Sequence, residues 1–293
     1  MGQGLRAGHG NGHWDGGLLG TEQSALVASW LGSPKLRADL SWGLTDTKVL
    51  HVQAPAGQFI IKAGGPDNHH LGRELAAHRA YTRPLVECGR AGRLLHADPG
   101  ANLLVMEYLE GHLVEGAEAE LAPPTYAQAG ELLKLFHRQE FRIDDRYELQ
   151  ATAKSLAWLH RAHRIDPALE REARRRLAEY RPPPATVVPT HGDWQPRNWL
   201  IHSGEVRVID FGRFDFRPAA TDLCRMAVQQ WRGRPELEQA FLDGYGTDPR
   251  SQTVWRIHLL REAIGTAVWA HIVGDEVFER QGQRMLREAL QLF

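Results

Sequence analysis

Two short strings, HGDWQPRNWL (191–200) and VRVIDFG (206–212), constrain this chain more than any other feature. Asp193 and Asn198 stand five positions apart, and twelve residues beyond Asn198 an alternating apolar segment closes on Asp210, followed by Phe211 and Gly212. The pieces NWLIH and VRVIDF flank the turn SGE (203–205), which predicts a short hairpin that brings Asn198 and Asp210 to one end. Gly212 lets the chain turn sharply without a Cβ penalty. Phosphoryl transfer from a nucleotide needs carboxylate- and amide-held magnesium to neutralise phosphate oxygens, and a further carboxylate to orient the attacking hydroxyl and take its proton. Asp193, Asn198 and Asp210 match those roles in order: base, amide metal ligand, bridging metal ligand.

The rest of the chain predicts where these residues are mounted. Its 293 residues exceed what one hydrophobic core usually organises, so two lobes are expected. Residues 1–20 are glycine-rich without apolar periodicity, which predicts a flexible tail. LRADLSW, TKVLHVQA and QFIIKA, the last two separated by the turn-forming PAG (55–57), read as a meander of antiparallel strands. A helix over 69–82 follows, then strand-like RLLHAD and LLVMEYL. Beyond Gly111 the patterns are helical, over 125–139, 151–164, 167–180, 219–231, 235–244 and 251–292, with RPPPA (181–185) as a stiff connector. The expectation is an α+β chain: a tail (1–20), a first lobe of antiparallel sheet plus helix (21–106) and a mostly helical second lobe (107–293).

Composition narrows the function classes. A net charge of −1 lacks the basic excess of a nucleic-acid binder. Cys88 and Cys224 have no metal-type spacing, the histidines complete no ligand set, and no apolar run reaches membrane-spanning length. The expectation is a soluble cytoplasmic protein with neither a nucleic-acid nor a membrane partner.

His191-Gly192-Asp193, Asn198, Ile209-Asp210-Phe211-Gly212 and the pair Asp222-Leu223 together resemble the aminoglycoside phosphotransferase and choline kinase family, relatives of protein kinases in fold. The resemblance runs from about Leu36 to the C-terminus and implies a two-lobed protein-kinase-like fold. It implies ATP or GTP as donor, two Mg2+ ions, and a small-molecule hydroxyl as acceptor. His191 then braces the catalytic loop and Asp222 holds the same loop from a helix start. Lys62, on a strand, faces the donor's α- and β-phosphates with Glu74 as its helical partner; the alternative for both is a solvated surface charge. SWGLTDTKV (41–49) takes the place of the phosphate-covering hairpin, where Gly43, Thr45 and Thr47 are the candidate contacts. LLVMEYLEG resembles the hinge, where backbone groups of Glu107 to Leu109 pair with the adenine edge.

The chain departs from the family pattern at Trp194, at Arg197 where Gly is frequent, and in FDFRPAATDL, which lacks the common Gly-Asp-Pro. Trp194, Arg197, Arg213 and Asp215 are therefore candidate acceptor contacts; arginines facing the acceptor favour an anionic or neutral one, unless they pair with acidic neighbours. Asp275, Glu276 and Glu279 offer a wall for an amine-bearing acceptor, or a solvated face. The first acceptor reading is an aminoglycoside-type antibiotic. The alternative is a metabolic amino alcohol, sugar or homoserine-like acceptor, and the third reading is a non-catalytic nucleotide-binding module. Replacing Asp193 is expected to abolish turnover and leave the fold intact.

Overall fold

In the computed structural model, which describes residues 13–43 and 46–293, the alternating strings become an antiparallel sheet. Helix α1 (Thr21–Leu31) precedes strands β1 (Lys35–Asp39), β2 (Lys48–Ala54), β3 (Gly57–Ala63), β4 (Leu94–Asp98) and β5 (Leu103–Glu107), which lie in the order β1-β2-β3-β5-β4. Successive strand side chains alternate between faces. Leu50 and Val52 therefore share one face with Phe59, Ile61, Leu103 and Val105, and Val27 and Leu31 of α1 belong to the same core. The other face carries Lys62 beside Leu104, and Leu71 and Leu75 of helix α2 (His69–Ala80) pack on Leu104.

The mobile tail expected over 1–20 is corrected from His13 onward. Asp15 is fully buried and accepts from the amides of Gly17 and Leu19 at 3.2 and 3.1 Å. Trp14, Leu18 and Leu19 join the α1 core, so three apolar side chains among the glycines supply the burial that offsets ordering. Residues 1–12 lie outside the described residues.

The chain divides into two compact units: one runs to Leu75 and takes in Gly92–Leu109, and the other holds Ala76–Ala91 and Glu110–Phe293. The division thus differs from the expected joint at 106/107, because the end of α2 and helix α3 (Arg83–Glu87) belong with the second unit. Leu85 and Ala77 are buried in that unit's main core with Phe136 and Phe211.

The second unit continues with β6 (His112–Leu113), α4 (Pro123–His137), β7 (Arg142–Asp144), α5 (Tyr147–Trp158), α6 (Pro167–Glu179) and β8 (Ala185–Thr190). Strands β9 (Trp199–His202), β10 (Glu205–Val208) and β11 (Asp215–Arg217) lead to α7 (Cys224–Val228), α8 (Pro235–Tyr245), α9 (Gln252–Val273) and α10 (Glu276–Leu290). Two small sheets, β10-β9-β6 and β11-β8-β7, carry the two strings of interest. The helix expected over 251–292 is two helices: Gly274 takes a left-handed φ of 77° that ends α9, and Asp275 caps α10 through the Phe278 amide at 2.9 Å. The helix expected over 219–231 shortens to a 3-10 turn (Ala219–Leu223) followed by α7.

Helices α4 and α8 pack at backbone distance through Gly130 and Gly244. A Cβ on Gly244 would stand 2.0 Å from the Ala127 carbonyl oxygen. Gly244→Ala is therefore expected to destabilise the chain by about 1–3 kcal/mol, measured as a lower urea midpoint at unchanged m value. No helix among the described residues is long and apolar enough to cross a membrane.

Candidate active site

In the first unit, packing of Leu71 and Leu75 on Leu104 fixes the height of α2 over β3, and Glu74 on the same helix meets Lys62. The Lys62 ammonium donates to both Glu74 carboxylate oxygens at 2.8 Å, with both residues buried. Neither is a solvated surface charge. Thr47 Oγ1 accepts from Asn68 Nδ2 at 2.7 Å, and Asn68 also receives the His70 amide at the start of α2. Gly43 is exposed with open space around it, and Thr45 lies outside the described residues. The Glu107 amide donates to the Arg93 carbonyl at 2.9 Å, whereas the Leu109 amide makes no hydrogen bond to a described residue.

In the second unit, β8 delivers the chain into His191-Gly192-Asp193. Gly192 has φ +82°, and a Cβ there would lie 2.3 Å from the Arg213 carbonyl oxygen, so the turn admits only glycine. The Gly192 and His191 amides donate to Asp222 at 2.6 and 2.8 Å, and His137 Nε2 bonds the same carboxylate at 3.0 Å. Burial works to raise the Asp222 carboxyl. The His137 hydrogen bond, helped by the Gly192 amide, outweighs it and holds the pKa below the ordinary range.

His191 Nε2 donates to the Ile209 carbonyl at 3.1 Å, and Nδ1 accepts the Asp193 amide at 3.3 Å, the pattern of a neutral ring. Burial lowers its pKa from 6.5. Since the folded pKa lies below the unfolded one, this group's contribution to stability is present above pH 6.5 and is lost as the pH falls from there toward the folded value. The melting temperature is therefore expected to fall more steeply below pH 6.5 in the wild type than in His191→Gln; equal slopes in calorimetry would contradict this.

Strands β9 and β10 pair from Trp199–Val208 to His202–Glu205, and the ladder extends through the Ile209 amide to the Asn198 carbonyl at 3.0 Å. Asn198 and Asp210 therefore leave the same end of the hairpin. Asn198 Nδ2 donates to the Asp193 carbonyl at 2.8 Å, and no described residue bonds its Oδ1. Asp210 holds a left-handed φ of 66°, a conformation that costs about 1–3 kcal/mol outside glycine. It is pinned on both sides, by Ile209 and by the Phe211 ring, 4.9 Å from His191 and 5.5 Å from Phe136. An amide oxygen and a carboxylate suit a hard cation such as Mg2+, which takes one or two protein oxygens and completes its shell with phosphate and water. Among the described residues no group of three or more His, Cys, Asp or Glu side chains is placed to hold a metal by itself.

Asp193 is 4 % exposed and surrounded by cations. Arg225 and Gln195 donate to its Oδ1, and Arg197 donates to Oδ2 at 2.6 Å. Arg225 is shared with Glu262 of α9 at 2.8 Å. Burial pushes the Asp193 carboxyl up, but the charges of Arg225, Arg197 and Arg213 overcome it and hold its pKa far below the carboxylate range. The Arg225 charge, with burial, pulls Arg213 down to about 10. Arg225, Glu262 and His137 carry no motif signal. Arg225 could have been found as the residue one turn beyond Asp222, and Glu262 as the carboxylate interrupting an apolar helix.

Of the candidate acceptor contacts, Arg197 and Arg213 gather at Asp193. Trp194 is corrected: it is fully buried among His191 and Trp199 and presents no surface to a ligand, because the loop folds it into the core. Asp215 is exposed and pairs with Arg217 at 3.6 Å. The expected acidic wall is otherwise employed. Asp275 caps α10, Glu279 is buried against Arg164 at 2.5 Å, and exposed Glu276 lies 4.0 Å from the same arginine.

A family model described as the phosphotransferase enzyme family matches residues 46–255, more than half of the chain. Among solved structures, a thermostable mutant of aminoglycoside phosphotransferase APH(4)-Ia with ADP and hygromycin B is 15% identical, covering 92% of this chain and 98% of that one at TM-score 0.68. Choline kinase LicA from Streptococcus pneumoniae is 16% identical over 92% and 97% at TM-score 0.66. Macrolide 2'-phosphotransferase MphH from Brachybacterium faecium is 17% identical over 89% and 96% at TM-score 0.59. Identities this low carry the fold, which is protein-kinase-like. No curated protein matches the chain.

Proposed function

The chain belongs to the phosphotransferase enzyme family, as a small-molecule kinase with a hydroxyl acceptor, and we propose that it moves the γ-phosphoryl group of ATP or GTP using Asp193, Asn198 and Asp210. What supports this reading is the loop built on His191, which bonds the Asp193 amide and the Ile209 carbonyl and feels the charges of Asp193 and Asp210, with Asn198 bonded to the Asp193 carbonyl. Asn198 Oδ1 and the Asp210 carboxylate would hold Mg2+, which when bound would neutralise charge developing on the phosphate oxygens. Lys62, fixed by Glu74, steadies the α- and β-phosphates. The Leu109 amide meets the base edge. Asp193 Oδ2 keeps a second lone pair beside the Arg197 bond and accepts the acceptor hydroxyl there. A carboxylate held this acidic is a weak base, so its first task is orientation. The proton transfers late, as a loose transition state permits.

The arginines around Asp193 favour a metabolic acceptor over a polycationic aminoglycoside, whose amines they would repel. Nucleotide consumption by the full chain against a panel of aminoglycosides, choline, sugars and hydroxy acids tests the reading. Acceptor-dependent ADP or GDP formation that stops on Mg2+ chelation is expected. Consumption independent of every acceptor, or absence of nucleotide binding, would count against it.

A further inference from the structure

Arg197, Arg213 and Arg225 surround two carboxylates, Asp193 and Glu262, which leaves one guanidinium in surplus. Arg197 is bonded to Asp193, and Arg225 to both carboxylates. Arg213 is the surplus group: among the described residues its guanidinium makes no hydrogen bond or ion pair, although it is only partly exposed. Its nitrogens are not sealed from solvent, so an arriving anion displaces water rather than a protein partner and meets a guanidinium whose charge no neighbouring carboxylate bonds. The Arg213 backbone is locked as well, since its carbonyl accepts from Arg217 at 2.9 Å and lies against Gly192. Its side chain is therefore presented beside the base by a rigid turn, and the like charge of Arg225, with burial, makes the proton on Arg213 easier to lose.

We propose that the acceptor is an anion, carrying a carboxylate or phosphate group that Arg213 binds, with Arg197 as second donor, so that its hydroxyl lies at Asp193. This rests on the phosphotransferase reading of the same site. A guanidinium fork matches either oxyanion bidentately, and Arg197, about one-third exposed, can swing from Asp193 to the incoming anion. That exchange clears the approach of the hydroxyl to the second lone pair of Oδ2, so the acceptor's charge and its reacting group are read together. An amine-bearing acceptor finds no unengaged carboxylate here, because both are already bonded to arginine.

The test uses the full chain saturated with AMP-PNP and Mg2+, so that the donor phosphate site is filled, titrated calorimetrically with inorganic phosphate and with glycerate. Saturable binding of at least one is expected. Arg213→Gln should weaken it roughly 10- to 150-fold, the range of a hydrogen bond to a charged group, and Arg213→Lys should recover part of the loss. Binding of phosphate alone points to a phosphorylated acceptor, and binding of glycerate to a hydroxy acid. Turnover with glycerol, glycerate, glycerol phosphate and glucosamine should favour an anionic member in kcat/KM. No saturable anion binding, equal binding in Arg213→Gln, preference for the amine, or loss of nucleotide affinity instead of anion affinity each overturns the proposal. Failure of AMP-PNP–Mg2+ to bind at all would instead strike at the phosphotransferase reading.

Discussion

Asp193→Asn is expected to lower turnover by about 10²–10⁴-fold, the usual contribution of a positioned acid–base group. It should also destabilise the chain. The expectation that a substitution here leaves the fold intact overlooks Arg225 and Arg197, both bonded to this carboxylate. Removing one partner of a buried pair typically costs about 3–5 kcal/mol because the other charge remains. Adding Arg213→Gln to Asp193→Asn removes one surplus charge and should recover part of the lost stability in urea titrations while recovering no turnover. Recovery of turnover by the double variant would show that Asp193 acts only by neutralising arginines.

Asp210→Asn is expected to cost nucleotide–magnesium affinity as well as rate. Asn retains the hydrogen-bonding shape and tolerates the left-handed φ of 66° better than most residues, so the backbone should hold while the charge is lost. Loss of a charge-assisted contact, about 1.5–3 kcal/mol, corresponds to roughly 10- to 150-fold weaker binding. Calorimetry with AMP-PNP and Mg2+ reads this directly, and unchanged affinity would remove Asp210 from the metal site.

Much of this fold was legible because its signals are local. The alternation of TKVLHVQA and QFIIKA specified β2 and β3 to within a residue, and the SGE turn specified the hairpin that brings Asn198 to Ile209. The Lys62–Glu74 pair followed from resemblance, and leucine packing at Leu104 is its physical cause. What escaped reading depends on residues far apart in the chain. Nothing near Asp193 announces that Arg225 and Glu262, on two later helices, share its charge. Trp194 read as a ligand contact because sequence does not say which way a loop side chain turns. α1 and the folding of His13–Gly20 onto it escaped because Trp14, Leu18 and Leu19 sit among glycines without a period.

The measurement that goes most directly to the heart of the matter is a pairing of two readouts, nucleotide–Mg2+ affinity and acceptor-dependent phosphoryl transfer, in wild type, Asp193→Asn and Asp210→Asn. A shared phosphoryl-transfer centre predicts that Asp210→Asn loses both, while Asp193→Asn still binds nucleotide and transfers about 10²–10⁴-fold more slowly. Wild-type values for both variants in both readouts would contradict it.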